Sequence, residues 1–117
     1  MSAPQLATVS QYLDWMQEGR LTSEQLVQAC LDHIAETDEA IGAWVHCDSE
    51  QALQQARAAD DQRRRGKPLG ALHGIPVGIK DIFDTRDYPT ERGSAIYQGR
   101  QPQADAAVVD LWLFSWG

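Results

Sequence analysis

The sequence LHGIPVGIKD, from Leu72 to Asp81, alternates β-branched residues with small or polar ones. A period of two is typical of a strand. Pro76 has no backbone N–H to donate, so the strand is predicted to begin after it and to cover Val77–Phe83. Because successive side chains on a strand point to opposite faces, the β-branched residues cover one face, and Gly78 and Lys80 share the other.

Lys80 is the chemically distinctive residue of this stretch. A lysine ammonium is costly to bury on an apolar strand unless it gains partners or loses its proton. A partly desolvated lysine with a lowered pKa can act as a general base toward a nearby hydroxyl. The alternative from spacing alone is a lysine at a strand end that reaches solvent or pairs with a carboxylate. Asp81 does not decide between them, because adjacent strand residues face opposite sides.

The run from Gly70 to Asp81 is followed by Asp84-Thr85, Pro89-Thr90 and Gly93-Ser94. In this order, these residues resemble the amino-terminal part of the amidase signature family, and the match extends along most of the chain. The resemblance implies that Lys80 is the base of a Ser, cis-Ser, Lys triad that hydrolyses amides or transfers ammonia. It also implies an α/β fold with a mixed sheet between helices, and a small-molecule amide as substrate of the full-length family.

Length and composition indicate one modest domain. The chain has 117 residues, and 43% of them are hydrophobic, near the globular norm. The net charge of -7 argues against a nucleic-acid partner and against an anionic membrane surface. No stretch approaches the roughly eighteen apolar residues that span a bilayer, and the amino terminus lacks a basic region before an apolar core. We therefore expect a cytoplasmic protein with no membrane partner.

No metal or other cofactor is predicted. Cys30 and Cys47 do not form a Cys-x-x-Cys pattern, so neither a zinc site nor a disulfide framework is indicated. Both are expected to be buried small hydrophobic residues. A phosphate loop needs a glycine directly before its lysine and a Ser or Thr after it, whereas an isoleucine precedes Lys80 and an aspartate follows it.

The rest of the chain is predicted to be mainly helical. Apolar periodicity predicts one helix over residues 10–19 and a second after a capping box that begins at Thr22. Asp48 has the same capping role at the start of a third helix, which is predicted to end at Gly66. Between the second and third helices, residues 41–47 are rich in β-formers and are predicted to form a strand.

Two polar features receive structural interpretations. Arg63-Arg64-Arg65 and Lys67 form a basic cluster, which complements the carbonyl end of a helix dipole, whereas a nucleic-acid site needs a wider basic surface with aromatic residues. Ser94 would need a base and an oxyanion site to act as a nucleophile, and Gly-Ser pairs are common in loops. The family counterpart of Ser94 is not the nucleophile.

The end of the chain departs from the family pattern. Asp105 is predicted to cap a last helical segment over residues 106–110, and residues 111–117 then read LWLFSWG without a turn signal. Such an apolar tail is typical of a shifted reading frame or a truncation. We expect residues 1–110 to be the amino-terminal part of an amidase domain and residues 111–117 to be an aberrant tail.

The resemblance places both serines of the triad downstream, in a glycine- and serine-rich segment that these 117 residues lack. Because amide hydrolysis also needs a nucleophile and oxyanion stabilisation, the chain is expected to be inactive by itself. Two alternatives are a non-catalytic module that docks on a full-length relative through an open strand edge and a small structural domain that only echoes the motif. The open edge also predicts self-association. Within the family, a broad amidase and the A subunit of a transfer-RNA-dependent amidotransferase both stay open.

Overall fold

The computed structural model of the chain describes residues 7–81, 83–109 and 111. Its elements are the helices α1 (Val9–Gln17), α2 (Ser23–Ile41) and α3 (Ser49–Arg64) and a short 3-10 helix (Ala95–Tyr97). Residues 107–109 and 111 are also helical. The chain falls into two compact units, one that holds the residues up to Pro76 and one that starts at Val77. No helix in the described ranges is long and apolar enough to cross a membrane.

Reciprocal side-chain caps begin α1 and α2. In α2, Thr22 Oγ1 accepts the backbone N–H of Gln25 at 3.1 Å, and Gln25 Oε1 accepts the backbone N–H of Thr22 at 3.0 Å. Thr8 and Gln11 form the same capping box at the start of α1. Each box satisfies two backbone donors that a helix leaves unpaired at its first turn. The capping box predicted at Thr22 is confirmed.

The third helix also follows its prediction. Asp48 Oδ1 accepts the backbone N–H of Gln51 at 3.1 Å, and the helix ends at Arg64. Gly66 has a left-handed φ of 69°, which glycine adopts without the steric cost that a side chain brings. The predicted start is confirmed, and the predicted end lies within two residues of the observed one.

The core of the first unit lies between α2 and α3, with α1 and the segment after Gly70 beside it. Leu26 and Ala56 are both fully buried, so a leucine of α2 and an alanine of α3 occupy this core. The other buried apolar residues of this unit are Tyr12, Met16, Leu21, Val27, Ala59 and Ile75. Short helices are marginally stable by themselves. The removal of this apolar surface from water therefore supplies much of their stability.

The prediction of a strand over residues 41–47 is wrong. Helix α2 extends through the first of these residues, and the others form neither helix nor strand. Asp38 Oδ1 accepts the backbone N–H groups of Ala43 and Trp44 at 2.7 and 3.2 Å. A strand would use such donors to pair with a neighbour, whereas here a helix side chain binds them.

The strand predicted over Val77–Phe83 is also absent, because no residue in the described ranges belongs to a strand. The backbone groups of residues 77–79 make no hydrogen bond to any described residue. A strand is stable only beside a paired neighbour, and the described ranges supply none. The mixed sheet implied by the resemblance therefore stays a prediction.

Polar contacts around Thr90 organise the second unit. Thr90 is 1% exposed, and its Oγ1 accepts the backbone N–H of Thr85 at 3.2 Å and donates to the carbonyl of Phe83 at 3.3 Å. Its own backbone N–H donates to the carbonyl of Arg100 at 2.9 Å. These bonds satisfy the hydrogen-bonding groups of the buried hydroxyl and connect Thr90 to residues 83–85 and to Arg100. Among the described apolar side chains of this unit, Pro102 and Val109 are buried.

The last helical segment begins near its predicted place. Asp105, which we expected to cap it, accepts the backbone N–H of Arg86 through Oδ1 at 2.7 Å. The backbone N–H of Ala106 donates to the carbonyl of Asp84 at 2.7 Å. These two bonds attach residues 105–106 to residues 84–86. Within the tail predicted over residues 111–117, residues 112–117 lie outside the described ranges.

Candidate active site

The first half of the stretch from Leu72 to Asp81 is anchored to α2 and α3. His73 Nε2 donates to the carbonyl of Ala59 at 2.9 Å, and the hydroxyl of Ser23 donates to the carbonyl of Gly74 at 2.7 Å. His73 is 2% exposed and Ser23 is 1% exposed, so both bonds are shielded from water. A buried polar group without such a partner would be strongly destabilising. These contacts hold residues 73–74 on the helices.

Asp60 connects α3 to the start of α2. Its two carboxylate oxygens accept the backbone N–H groups of Ser23 at 2.7 Å and Glu24 at 3.0 Å. These donors have no partner within α2, because they belong to its first turn. A carboxylate at a helix amino terminus also interacts favourably with the helix dipole. The chain thus positions α2, and the Ser23 hydroxyl with it, through a residue 37 positions away.

Lys80 lies in the second unit and is exposed. It borders a groove of about 470 Å³ whose other described lining residues are Val77, Gly78, Ile79, Phe83, Val108 and Leu111. The Lys80 ammonium makes no hydrogen bond or ion pair with any described residue. Its carbonyl accepts the backbone N–H of Phe83 at 3.1 Å. The groove is therefore lined by Lys80, whose ammonium has no partner among the described residues, and otherwise by mainly apolar residues.

The alternation predicted for a strand does not separate these residues. Val77 and Ile79 were predicted on the face opposite Gly78 and Lys80, yet all four border the same groove. The segment is not a strand, so the rule that neighbouring side chains point to opposite faces does not apply. Gly78 and Lys80 both line the groove, but the separate strand face predicted for them is wrong. The role of Lys80 as a base stays a prediction.

Asp81 has a structural role that the sequence analysis missed. Its Oδ1 accepts the backbone N–H of Glu91 at 2.9 Å, its carbonyl accepts that of Arg92 at 2.8 Å, and its Oδ2 lies 3.4 Å from the backbone nitrogen of Gly93. Three consecutive N–H groups of one loop therefore converge on the residue after Lys80. The sequence shows an aspartate and, shortly after it, a loop that contains glycine, but it does not show that the two pair.

Ser94, which we interpreted as a loop residue, caps the short 3-10 helix. Its Oγ accepts the backbone N–H of Ile96 at 3.3 Å. Hydroxyl side chains are common in this position because they satisfy a donor at a helix start. The structural interpretation of Ser94 is therefore in keeping with its contacts.

A carboxylate and a guanidinium form the main ion pair of the second unit. Arg100 donates to the two oxygens of Asp84 at 2.7 and 3.2 Å in a bidentate arrangement. Hydrogen bonding to the Arg100 guanidinium holds the pKa of Asp84 below its usual range. Since both side chains are about one-third exposed, solvent screens part of their attraction.

The cysteines differ from each other. Cys30 is half-buried on α2, and burial raises the pKa of its thiol. Cys47 is exposed, so the expectation that it is buried is wrong. It lies in the irregular segment that replaces the predicted strand. Across the described ranges, no group of three or more His, Cys, Asp or Glu residues is arranged to hold a metal ion.

Comparison with known proteins gives a consistent result. A family model described as Amidase matches residues 25–113. The chain is 45% identical over 106 residues to the A subunit of glutamyl-tRNA(Gln) amidotransferase from Chloroflexus aggregans, an overlap that covers 91% of this chain and 22% of that protein. It is 47% identical over 91 residues to the protein of the same name from Streptomyces coelicolor, with 78% and 18% covered.

Solved structures agree with the sequence comparison. The native peptide amidase of Stenotrophomonas maltophilia matches with a TM-score of 0.87 and 32% identity over 95% of this chain and 23% of that enzyme. An amidase family protein of Bacillus anthracis matches with a TM-score of 0.84 and 28% identity over 97% of this chain and 23% of that protein. The chain spans about a fifth of the length of the curated relatives it matches.

Proposed function

Because the chain belongs to the amidase family, we propose that it carries the lysine base of an active site that cleaves the C–N bond of amides, with Lys80 in that role. The observation that carries the proposal is the position of Lys80. It lies within the family match and borders a mainly apolar groove with no described partner for its ammonium. An amine in such a place can take a proton from a serine hydroxyl of the active site.

The proposed chemistry follows the family's Ser, cis-Ser, Lys arrangement. As the base, Lys80 takes the proton of one serine, and this serine takes the proton of the nucleophilic serine as the nucleophilic oxygen attacks the amide carbon. The proton then returns to the departing nitrogen when the C–N bond breaks, and water releases the acyl group in a second step. In the family, the serines and the oxyanion donors lie in a glycine- and serine-rich segment, and we propose that these 117 residues have no amide turnover by themselves.

A second candidate is the function of the amidotransferase A subunit. The curated relatives quoted above carry that name and share 45–47% identity with the chain, whereas the two quoted amidase structures share 28–32%. The lysine would have the same role in both cases, since each reaction begins by cleaving an amide. The transfer-RNA-related name of these relatives also supports a cytoplasmic location.

The partners follow from the same placement. The substrate is a small-molecule amide, which would approach the Lys80 groove in the complete active site. The exposed apolar lining favours two further associations of the chain by itself, docking onto a full-length relative and self-association. The acidic composition argues against nucleic acid bound to this part of the protein.

A chimera tests the catalytic proposal. The Stenotrophomonas maltophilia peptide amidase would receive residues 25–113 of this chain in place of its matching segment, and ammonia release from a peptide amide would be measured. We expect the chimera to be active and the 117-residue chain to show no turnover. Lys80→Ala should lower kcat of the chimera by about 100-fold or more, because general base catalysis contributes about 10² to 10⁴.

The chain offers a matched control. Lys67 is its only other lysine and lies in the exposed loop after α3. Lys67→Ala should leave kcat unchanged, with circular dichroism used to check that both variants keep their helices. A folded Lys80→Ala chimera with full kcat would remove Lys80 from the mechanism, and turnover by the chain alone would contradict its proposed inactivity.

A further inference from the structure

The contacts of Asp81 define how the backbone at Lys80 is held. On the carboxyl side of Lys80, Asp81 accepts the N–H groups of Glu91 and Arg92 and lies within 3.4 Å of that of Gly93. The carbonyl of Lys80 itself closes a turn with the N–H of Phe83 at 3.1 Å. Residues 80–81 are thus attached to a loop ten positions further along the chain.

The loop that Asp81 binds has positive φ angles at two consecutive residues. Arg92 has a φ of 56° and Gly93 a φ of 68°, so two consecutive residues adopt the left-handed region. For a residue with a side chain, that conformation is strained and persists only when surrounding contacts enforce it. Successive N–H groups in such a conformation form a concave donor site for an anion. Here the anion is the Asp81 carboxylate, with the Asp81 carbonyl as a third acceptor.

A second contact supports the same loop conformation. The Arg92 guanidinium carbon lies 5.1 Å from the centre of the Tyr97 ring, within the range of a cation–π interaction. The N–H of Gly99 donates to Glu91 Oε2 at 2.6 Å. Residues 91 and 92 are therefore held by Gly99 and Tyr97 as well as by Asp81. Asp81 connects this loop to Lys80, its neighbour in sequence.

The Lys80 side chain is flexible. Its side chain has four rotatable bonds, and the Lys80 ammonium has no partner among the described residues. The position of the amine therefore depends on where the backbone of residue 80 is held. We propose that Asp81 is a positioning residue that fixes the Lys80 backbone against the loop of residues 91–93 and so aims the amine into the groove. This inference rests on the proposed role of Lys80.

Two measurements test the inference. In the 117-residue chain, amide hydrogen exchange followed by NMR reports on the N–H groups of Glu91 and Arg92. We expect exchange at these two groups to be at least about 10-fold faster in Asp81→Ala than in the unaltered chain, because the open form of the loop becomes more populated. Asp81→Asn, which keeps one carbonyl acceptor, should fall between them. Unchanged exchange in Asp81→Ala would overturn the inference.

The second measurement uses the peptide amidase chimera. Asp81→Asn should lower kcat by about 10- to 100-fold, the scale of a misplaced catalytic group, while KM and the melting temperature stay near those of the parent. Asp87→Asn is the matched control, since Asp87 is exposed and has no hydrogen bond or ion pair to a described residue. A purely structural role would lower the melting temperature and leave the kcat of the folded fraction intact.

The outcomes separate the two proposals. If Lys80→Ala keeps full kcat, the proposed function fails irrespective of Asp81. If Lys80→Ala is inactive while Asp81→Asn has full kcat, the base is supported and the positioning role is overturned. If both lose activity and Asp81→Asn adds nothing further to Lys80→Ala, the two residues act as one unit, as the inference requires.

Discussion

The hydroxyl of Ser23 donates to the carbonyl of Gly74 at 2.7 Å and joins the first residue of α2 to the segment that precedes Lys80. Both residues are buried, and 51 positions separate them in sequence. The space for a side chain at position 74 is tight. A Cβ there would lie 3.2 Å from Met16 Sδ and 3.3 Å from Ser23 Cβ.

Gly74→Ala is therefore expected to be strongly destabilising. Gly74 also has a φ of 83°, so alanine would bring both backbone strain and overpacking, together about 2 to 4 kcal/mol of unfolding free energy. Gly66→Ala is the control, because Gly66 has a φ of 69° and a Cβ added there would meet no atom within 4 Å. It should cost about 1 kcal/mol. Urea unfolding followed by circular dichroism measures the unfolding free energy of both variants. An equal loss of unfolding free energy in the two would contradict the close contact at Gly74.

Asp60 and Asp61 are neighbours on α3 with different expected contributions. Asp60→Ala removes the acceptor for two backbone N–H groups of α2, which should cost about 1 to 3 kcal/mol. Asp61 pairs with Arg64 and Arg65 on the surface, so Asp61→Ala should cost less than about 0.5 kcal/mol. Urea unfolding of the two variants gives the comparison. A smaller loss for Asp60→Ala than for Asp61→Ala would contradict the capping role.

These two residues also show what the sequence could predict. The capping boxes at Thr8 and Thr22 and the cap at Asp48 involve residues three positions apart, so local pattern is sufficient to find such caps. The contact of Asp60 with Ser23 spans 37 positions and depends on how α2 and α3 pack. No local pattern distinguishes Asp60 from Asp61 before that packing is known.

The strands and the site show the same limit. A strand requires a neighbour, and the period of two at residues 75–80 carries no information about whether one is present. The motif predicts that Lys80 is the base, and Lys80 lines a groove, whereas the motif predicts no role for Asp81. Its contacts with residues 91–93 arise from a turn whose geometry the sequence does not specify.

The Asp84–Arg100 pair predicts a pH dependence of stability. Because hydrogen bonding to Arg100 lowers the pKa of Asp84 in the folded state, the unfolded chain binds this proton first as the pH falls. The contribution is present above the ordinary carboxyl pKa of about 4 and is lost as the pH falls through the lower folded value. Melting temperatures between neutral pH and about pH 2.5 should therefore fall more steeply for the parent than for Asp84→Asn. Parallel curves would contradict the shift.

The exposed lining of the Lys80 groove predicts concentration-dependent association. Val77, Ile79 and Phe83 are 45%, 36% and 40% exposed, and apolar patches of this kind promote contacts between chains. Light scattering should detect association that Ile79→Lys weakens. Ile96→Lys is the control, since Ile96 is 89% exposed and does not border the groove. Equal effects of the two substitutions would indicate non-specific aggregation.

The most direct test of the central claim compares Lys80→Arg with Lys67→Arg in the peptide amidase chimera, with ammonia release from a peptide amide as the readout. Arginine keeps the positive charge but does not give up its proton near neutral pH, so it cannot act as a base. We predict a loss of kcat of about 100-fold or more for Lys80→Arg and none for Lys67→Arg. Full kcat in a folded Lys80→Arg chimera would show that position 80 supplies charge alone and would contradict its role as the base.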